Sequence, residues 1–137
     1  MNPDYASKLS TEFLVAANRA SETKVVNDLF QVAMVPGIVC AAFSIEIGLK
    51  AVVHRETGRK ASSTHKLDAL FEEVSSDTQN KVANMLGMNL LALKEKLIGI
   101  GNAFVEWRYV YESDSVAIDH TFLFGVANAV SNLSREA

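Results

Sequence analysis

Three groups of side chains in this chain could do chemistry. The first is Glu46, Lys50 and His54, spaced four apart within the otherwise apolar run PGIVCAAFSIEIGLKAVVH. At helical pitch they share one face, with acid before base, the order that favours an intrahelical ion pair. Such a stripe either stabilises a helix at an edge or forms a polar notch in a core. The second group lies in FVEWRYVYE, where Phe104, Arg108, Tyr109, Tyr111 and Glu112 fall within about two turns. A guanidinium presents planar, bidentate donors and aromatic rings present stacking faces, the two requirements for holding single-stranded RNA or a nucleotide. The structural alternative is an Arg108 clamped by Glu112 or Glu46, pinning two core helices, with Trp107 in the core. The third group is His54, Arg55, Arg59, Lys60, His65 and Lys66, a local positive patch that is either a solvated loop or a phosphate contact. The candidate ligand-binding set is therefore Glu46, Lys50, His65, Lys66, Arg108, Tyr109, Tyr111 and Glu112. His54, His65 and His120 lack short ligand spacing and Cys40 stands alone, so no metal site and no cofactor is expected. A glycine-rich phosphate loop and a nucleophile elbow are also absent from the sequence.

The elements that position these residues follow from apolar spacing. Leu9, Phe13, Ala16 and Ala17 predict a helix over 3–20, with Pro3 in its first turn. Val25, Val26, Leu29, Phe30 and Ala33 predict a further helical stretch over 23–34. Pro36 biases Val35 away from helical geometry and predicts a break there, ahead of a helix from Gly37 to Thr57 that Gly58 terminates. That helix is apolar nearly all round, so it is expected at the centre of the fold. Short helices are expected over 65–74, capped by Ser63 or Thr64, and from Ser76 to Gly87. There SDTQ matches a capping box between Ser76 and Gln79. Leu90, Leu93, Leu97, Ile100, Phe104, Trp107 and Tyr111 predict one long helix over 89–112, weakened at Gly99 and Gly101, where another helix is expected to approach closely. A turn through SDSVAID leads to a last helix capped near Asp119. The sequence shows no strand pattern, so the fold class is all-α: an up-and-down helical bundle of four to five main helices plus short ones.

Composition narrows the function classes. With 137 residues and 49% apolar content the chain suits one domain over 1–137. A net charge of −3 removes any overall attraction to nucleic acid or anionic lipid, so such contacts would be local. The apolar run at 32–45 is interrupted by Pro36 and Gly37 and followed by Glu46 and Lys50, which favours a core helix over a membrane span. A single apolar-flanked cysteine and an N-terminus without basic and apolar signal regions lead to an expected cytoplasmic location.

The runs SIEIGLKAVV, THKLDALFEEV and FVEWRYVYE, in that order, resemble the HEPN domains (higher eukaryotes and prokaryotes nucleotide-binding), over roughly 41–133. The resemblance implies an up-and-down bundle, commonly a homodimer with a cleft near its interface. It also implies a setting in toxin-antitoxin or antiviral systems, with an antitoxin or other protein partner. Many members are ribonucleases using an arginine followed, four to six residues later, by a histidine near the last helix. Arg108 matches the arginine, but the histidine positions hold Ser113, Asp114 and Ser115. A serine hydroxyl does not replace an imidazole as acid or base. Two functions follow: an RNA- or nucleotide-binding or accessory module built on Arg108, or a divergent metal-independent endoribonuclease pairing Arg108 with His120 or with His65. A structural interaction domain is a third.

Overall fold

The computed structural model describes residues 1–112 and 117–136. It is an all-α bundle, organised around one helix. That helix, α2 (Met34–Thr57), follows α1 (Pro3–Ala20) and a β-hairpin, β1 (Lys24–Val26) and β2 (Leu29–Gln31). Three short helices come next: α3 (Leu67–Glu73), α4 (Ser76–Met85) and α5 (Leu90–Ile100). The chain then forms α6 (Ala103–Arg108), a 3-10 turn over Val110–Glu112, and α7 (His120–Arg135).

The apolar run makes α2 the shared partner of α1, α3, α6 and α7. It is long and apolar enough to cross a bilayer, yet 61% of its most apolar window is buried inside the bundle. Ile38, Ala41, Ala42, Ile45 and Leu49 reach the core, where they meet Leu70, Phe71, Leu97, Leu123, Val126 and Val130. Small residues let α1, α2 and α7 approach closely. The Ser10 hydroxyl donates to the Ser44 carbonyl at 2.8 Å while the Ser44 hydroxyl donates to the Ser10 carbonyl at 2.6 Å. The hydroxyls of Ser7 and Ser134 lie 3.0 Å apart. A methyl group on Gly48 would come within 2.7 Å of Val130 Cγ1 and 2.9 Å of Ser10 Oγ, so only glycine fits this crossing as it stands.

Several sequence expectations are corrected. The stretch 23–34 is no helix: Asn27 and Asp28 adopt positive φ (51° and 64°) and close a two-residue hairpin with Val26 opposite Leu29. Positive φ at both central positions is the geometry whose twist matches paired strands, and Asn and Asp tolerate it best after glycine. This also overturns the absence of strands. Pro36 does not break the chain; it sits in the first turn of α2, where a missing N–H has no helical partner to lose. Helix α3 starts at Leu67, leaving His65 in the preceding loop. Neither Ser63 nor Thr64 caps it, because Lys66 holds the cap position and the Leu67 N–H donates to the Gly101 carbonyl at 2.9 Å.

The capping box is out by one residue. Ser75 caps α4, and its own N–H already donates to Glu56 Oε1 at 2.8 Å. Gln79 is thus free to turn inward, donating to the carbonyls of Phe71 (3.0 Å) and Val74 (3.3 Å). The single long helix over 89–112 is instead α5, α6 and the 3-10 turn, broken at Gly101 and Asn102. The close approach expected there is real at Gly101, where a Cβ would collide with the Asp68 carboxylate, whereas Gly99 faces open space. Gly58, with φ 69°, ends α2, and Asp119 Oδ1 accepts from the Phe122 N–H at 3.0 Å to cap α7, both as the sequence reads.

Candidate functional site

Residues 43, 46 and 50 fall on one face of α2, and two later segments fold onto that face. Phe43 stacks on Phe104 of α6 at 4.6 Å between ring centroids and meets Phe13 of α1 edge-on at 4.7 Å. This aromatic ladder fixes α6 against α2. The chain after α2 then doubles back. Eleven residues of helix separate Glu46 from Thr57, about 16 Å of axis, and the stretch from Gly58 to His65 retraces it. Buried Ala61 anchors the return, and Ser62 donates its N–H (3.0 Å) and hydroxyl (2.5 Å) to Glu73. His65 arrives beside Glu46.

Glu46 is 3% exposed, a charge almost wholly withdrawn from water. Its carboxylate accepts from Lys50 Nζ at 3.0 Å and faces His65 Nδ1 at 3.0 and 3.1 Å. The pairing answers the cost of burial, which an isolated carboxylate could not bear. An ionised carboxylate only accepts hydrogen bonds, so the proton on His65 belongs on Nδ1. In neutral imidazole that leaves Nε2 with a free lone pair, on a side chain that is half exposed. Glu46 is thereby an orienting group, and Lys50 holds it.

Arg108 packs on the same aromatic platform. Its guanidinium carbon sits 4.5 Å from the Phe104 ring centroid and 5.3 Å from that of Tyr109, while His65 packs on Phe104 at 5.7 Å. Among the described residues the guanidinium makes no hydrogen bond, so its N–H groups remain available to a planar or tetrahedral oxyanion. Among the described residues Arg108 forms no ion pair, so the clamp to Glu112 or Glu46 is not made. Tyr109 and Tyr111 are exposed, with ring centroids 6.4 Å apart. Glu112, next to Tyr111, and Lys66, next to His65, are exposed, with no described partner for their charges. Trp107 packs against the core.

Other candidates lie elsewhere. His120 stacks on Phe124 at 4.2 Å in the first turn of α7, and no described hydrogen bond or aromatic contact joins it to Arg108, His65 or Glu46. The positions Ser113, Asp114 and Ser115 fall outside the described residues. Arg55, counted in the basic patch, does structural work: it bonds the carbonyls of Ser134 and Pro3 and pairs with Asp4 Oδ1 at 2.8 Å, tying the start of α1 to the end of α7. Arg59 and Lys60 are exposed. Glu56, which the sequence did not single out, accepts from the Ser75 N–H and hydroxyl and from the Thr78 hydroxyl at 2.6 to 2.8 Å. Partial burial pushes its carboxyl up, but these bonds and the nearby Lys81 outweigh that and hold it below the ordinary range. Burial raises the Cys40 thiol, the behaviour of a packed rather than a reactive cysteine. Among the described residues no three of His, Cys, Asp or Glu converge to hold a metal ion.

No family model matches the chain, and comparison with curated proteins and with solved structures finds no significant match to either.

Proposed function

We propose that this chain is an RNA- or nucleotide-binding module with a HEPN-like bundle, and that its ligand's phosphate is held by Arg108. The observation that carries the reading is the exposed Arg108 guanidinium, stacked on Phe104 and not neutralised by any described carboxylate. An arginine already packed on an aromatic ring and without a hydrogen bond of its own is preorganised for bidentate phosphate contact, since few rotamers are lost on binding. Tyr109 and Tyr111 supply exposed rings for stacked bases, and Lys66 supplies local positive charge on a chain that is acidic overall. Titration of a fluorescent single-stranded RNA oligonucleotide tests this. Binding is expected to weaken with salt and to fall by roughly tenfold or more in Arg108→Ala, whose lost contact is a charge-assisted one. Retained affinity in that variant would refute the reading.

One observation favours catalysis as a second reading. Glu46 and His65 form an orienter and acid–base pair, and His65 packs on the same Phe104 ring as Arg108, so a divergent endoribonuclease would use His65 rather than His120. His65 Nε2 would take the proton of the ribose 2′-hydroxyl as its oxygen bonds to phosphorus, the P–O5′ bond would break with the departing 5′-oxygen taking a proton from water, and Arg108 would stabilise the charge on the phosphate. Cleavage of RNA by purified protein between pH 5 and 8, lost in His65→Ala and kept in His120→Ala, is the outcome this reading requires.

A further inference from the structure

The groups that pack on Phe104 differ in what they can give and take. Of the side chains that meet that ring by face or charge, Phe43, Arg108 and His65, only His65 offers a hydrogen-bond acceptor. A histidine free in water exchanges its proton between both ring nitrogens. Here the buried Glu46 carboxylate accepts from Nδ1 at 3.0 Å, so the neutral ring carries a standing lone pair on Nε2. Lys50, at 3.0 Å, already balances the charge of that carboxylate. The imidazole therefore gains orientation from Glu46 rather than supplying it with a countercharge.

Distance limits what that lone pair can meet. The Phe104 centroid lies 4.5 Å from the Arg108 guanidinium carbon and 5.7 Å from the His65 ring centroid, so the two groups are at most about 10 Å apart. Arg108 is exposed and the His65 side chain is half exposed, so both reach solvent. With hydrogen bonds of about 3 Å at either end, the remaining gap is one that a single ribose and its linking oxygen fill. The backbone of DNA carries no hydrogen-bond donor. That of RNA carries the ribose 2′-hydroxyl, beside the 3′-phosphate. An acceptor fixed this close to a phosphate-binding arginine is matched by ribose and left to water by deoxyribose.

We propose that His65 Nε2 accepts a hydrogen bond from the ribose 2′-hydroxyl next to the phosphate held by Arg108, so that this site selects RNA over DNA. The inference rests on the phosphate reading of Arg108 and adds the sugar to it. It needs no cleavage: the contact is made by the bound, uncut strand, and Glu46 is a positioning residue behind it.

Fluorescence anisotropy of the full chain with oligonucleotides of one sequence tests it, at about pH 8, where ordinary imidazoles are neutral. The ligands are RNA, DNA, and RNA with 2′-fluoro sugars, which keep the ribose pucker but have no proton to donate. Readings are taken on mixing, ahead of any cutting. Wild-type protein is expected to bind RNA roughly three- to tenfold tighter than either analogue, the worth of one neutral hydrogen bond. His65→Phe, which keeps a ring to pack on Phe104, is expected to bind all of them within about twofold of one another. Wild-type protein that binds RNA and DNA alike, 2′-fluoro RNA that binds as RNA does, or a preference that survives in His65→Phe would each overturn the sugar assignment while leaving phosphate binding by Arg108 in place. Absence of binding to every ligand, or affinities unchanged in Arg108→Ala, would instead remove the phosphate reading and the sugar assignment with it.

Discussion

The tightest prediction concerns two glycines that respond oppositely to the same added methyl group. In Gly48→Ala the new Cβ falls 2.7 Å from Val130 Cγ1 and 2.9 Å from Ser10 Oγ. Val130 is 1% exposed and β-branched, with little rotamer freedom, and Ser10 Oγ is fixed by its 2.8 Å bond to Ser44. Relief therefore requires α2 to move away from α1 and α7, and overpacking of this kind costs about 1–3 kcal/mol. Against it stands the helix preference of alanine over glycine, at most about 1 kcal/mol. The clash wins, and a net loss of about 1–2 kcal/mol follows, a melting temperature lower by roughly 3 to 8 °C for a domain of this size. Gly99 lies in α5, and a Cβ added there would meet nothing within 4 Å. Gly99→Ala meets only the preference term and is expected to stabilise by about 0.5–1 kcal/mol. Urea titration of the two variants beside wild type measures both, with midpoints moving in opposite directions at constant slope. A Gly48→Ala protein at least as stable as wild type would refute the packing argument.

Two further outcomes follow from buried or partly buried hydrogen bonds. Gln79→Leu leaves the Phe71 and Val74 carbonyls without their side-chain donor and is expected to cost about 1–3 kcal/mol, read from the urea midpoint. The carboxyl of Glu56 is held below its ordinary value of about 4.5, so it binds a proton more readily in the unfolded chain. Its stabilisation is present above that pH and is lost as pH falls through the depressed folded value. Glu56→Gln is expected to flatten the acid limb of the stability profile below about pH 4.5, measured by thermal melting; an unchanged limb would show that Glu56 is not among the groups governing acid sensitivity.

The bundle was legible where one segment's own residues decide its state. The all-round apolar character of α2, the terminating Gly58 and the capping Asp119 act locally, and each is found as the sequence reads. The errors arise where a partner distant in sequence intervenes. Ser76 and Gln79 satisfy the pattern of a capping box, but Glu56 on another helix takes the donor that the box would have used. The alternation through Leu97, Ile100 and Phe104 suits a continuous helix, but Leu67 claims the carbonyl of Gly101 and Asp68 occupies the flank beside it. The hairpin was hidden by ambiguity of period. Val25, Val26, Leu29 and Phe30 recur as a helical stripe would, and the Asn-Asp turn lacks the glycine that makes such turns conspicuous. In the site, the shared face of Glu46 and Lys50 follows from helical spacing alone. The bond from Glu46 to His65 does not, because it depends on the path of the loop between them.

The serine-lined crossing of α1, α2 and α7 also constrains the order in which the domain can be made. Helix α2 takes one neighbour from the start of the chain and another from its end, and Arg55 bonds to both Pro3 and Ser134. During synthesis α1 and α2 can meet early and seal Ser10 against Ser44, yet Gly48 then faces water along a groove shaped for Val130, about eighty residues further along the chain. Until α7 is made, the face of α2 that it covers stays open. The packing of the most apolar helix is therefore completed only when the sixteen residues of His120–Arg135 dock.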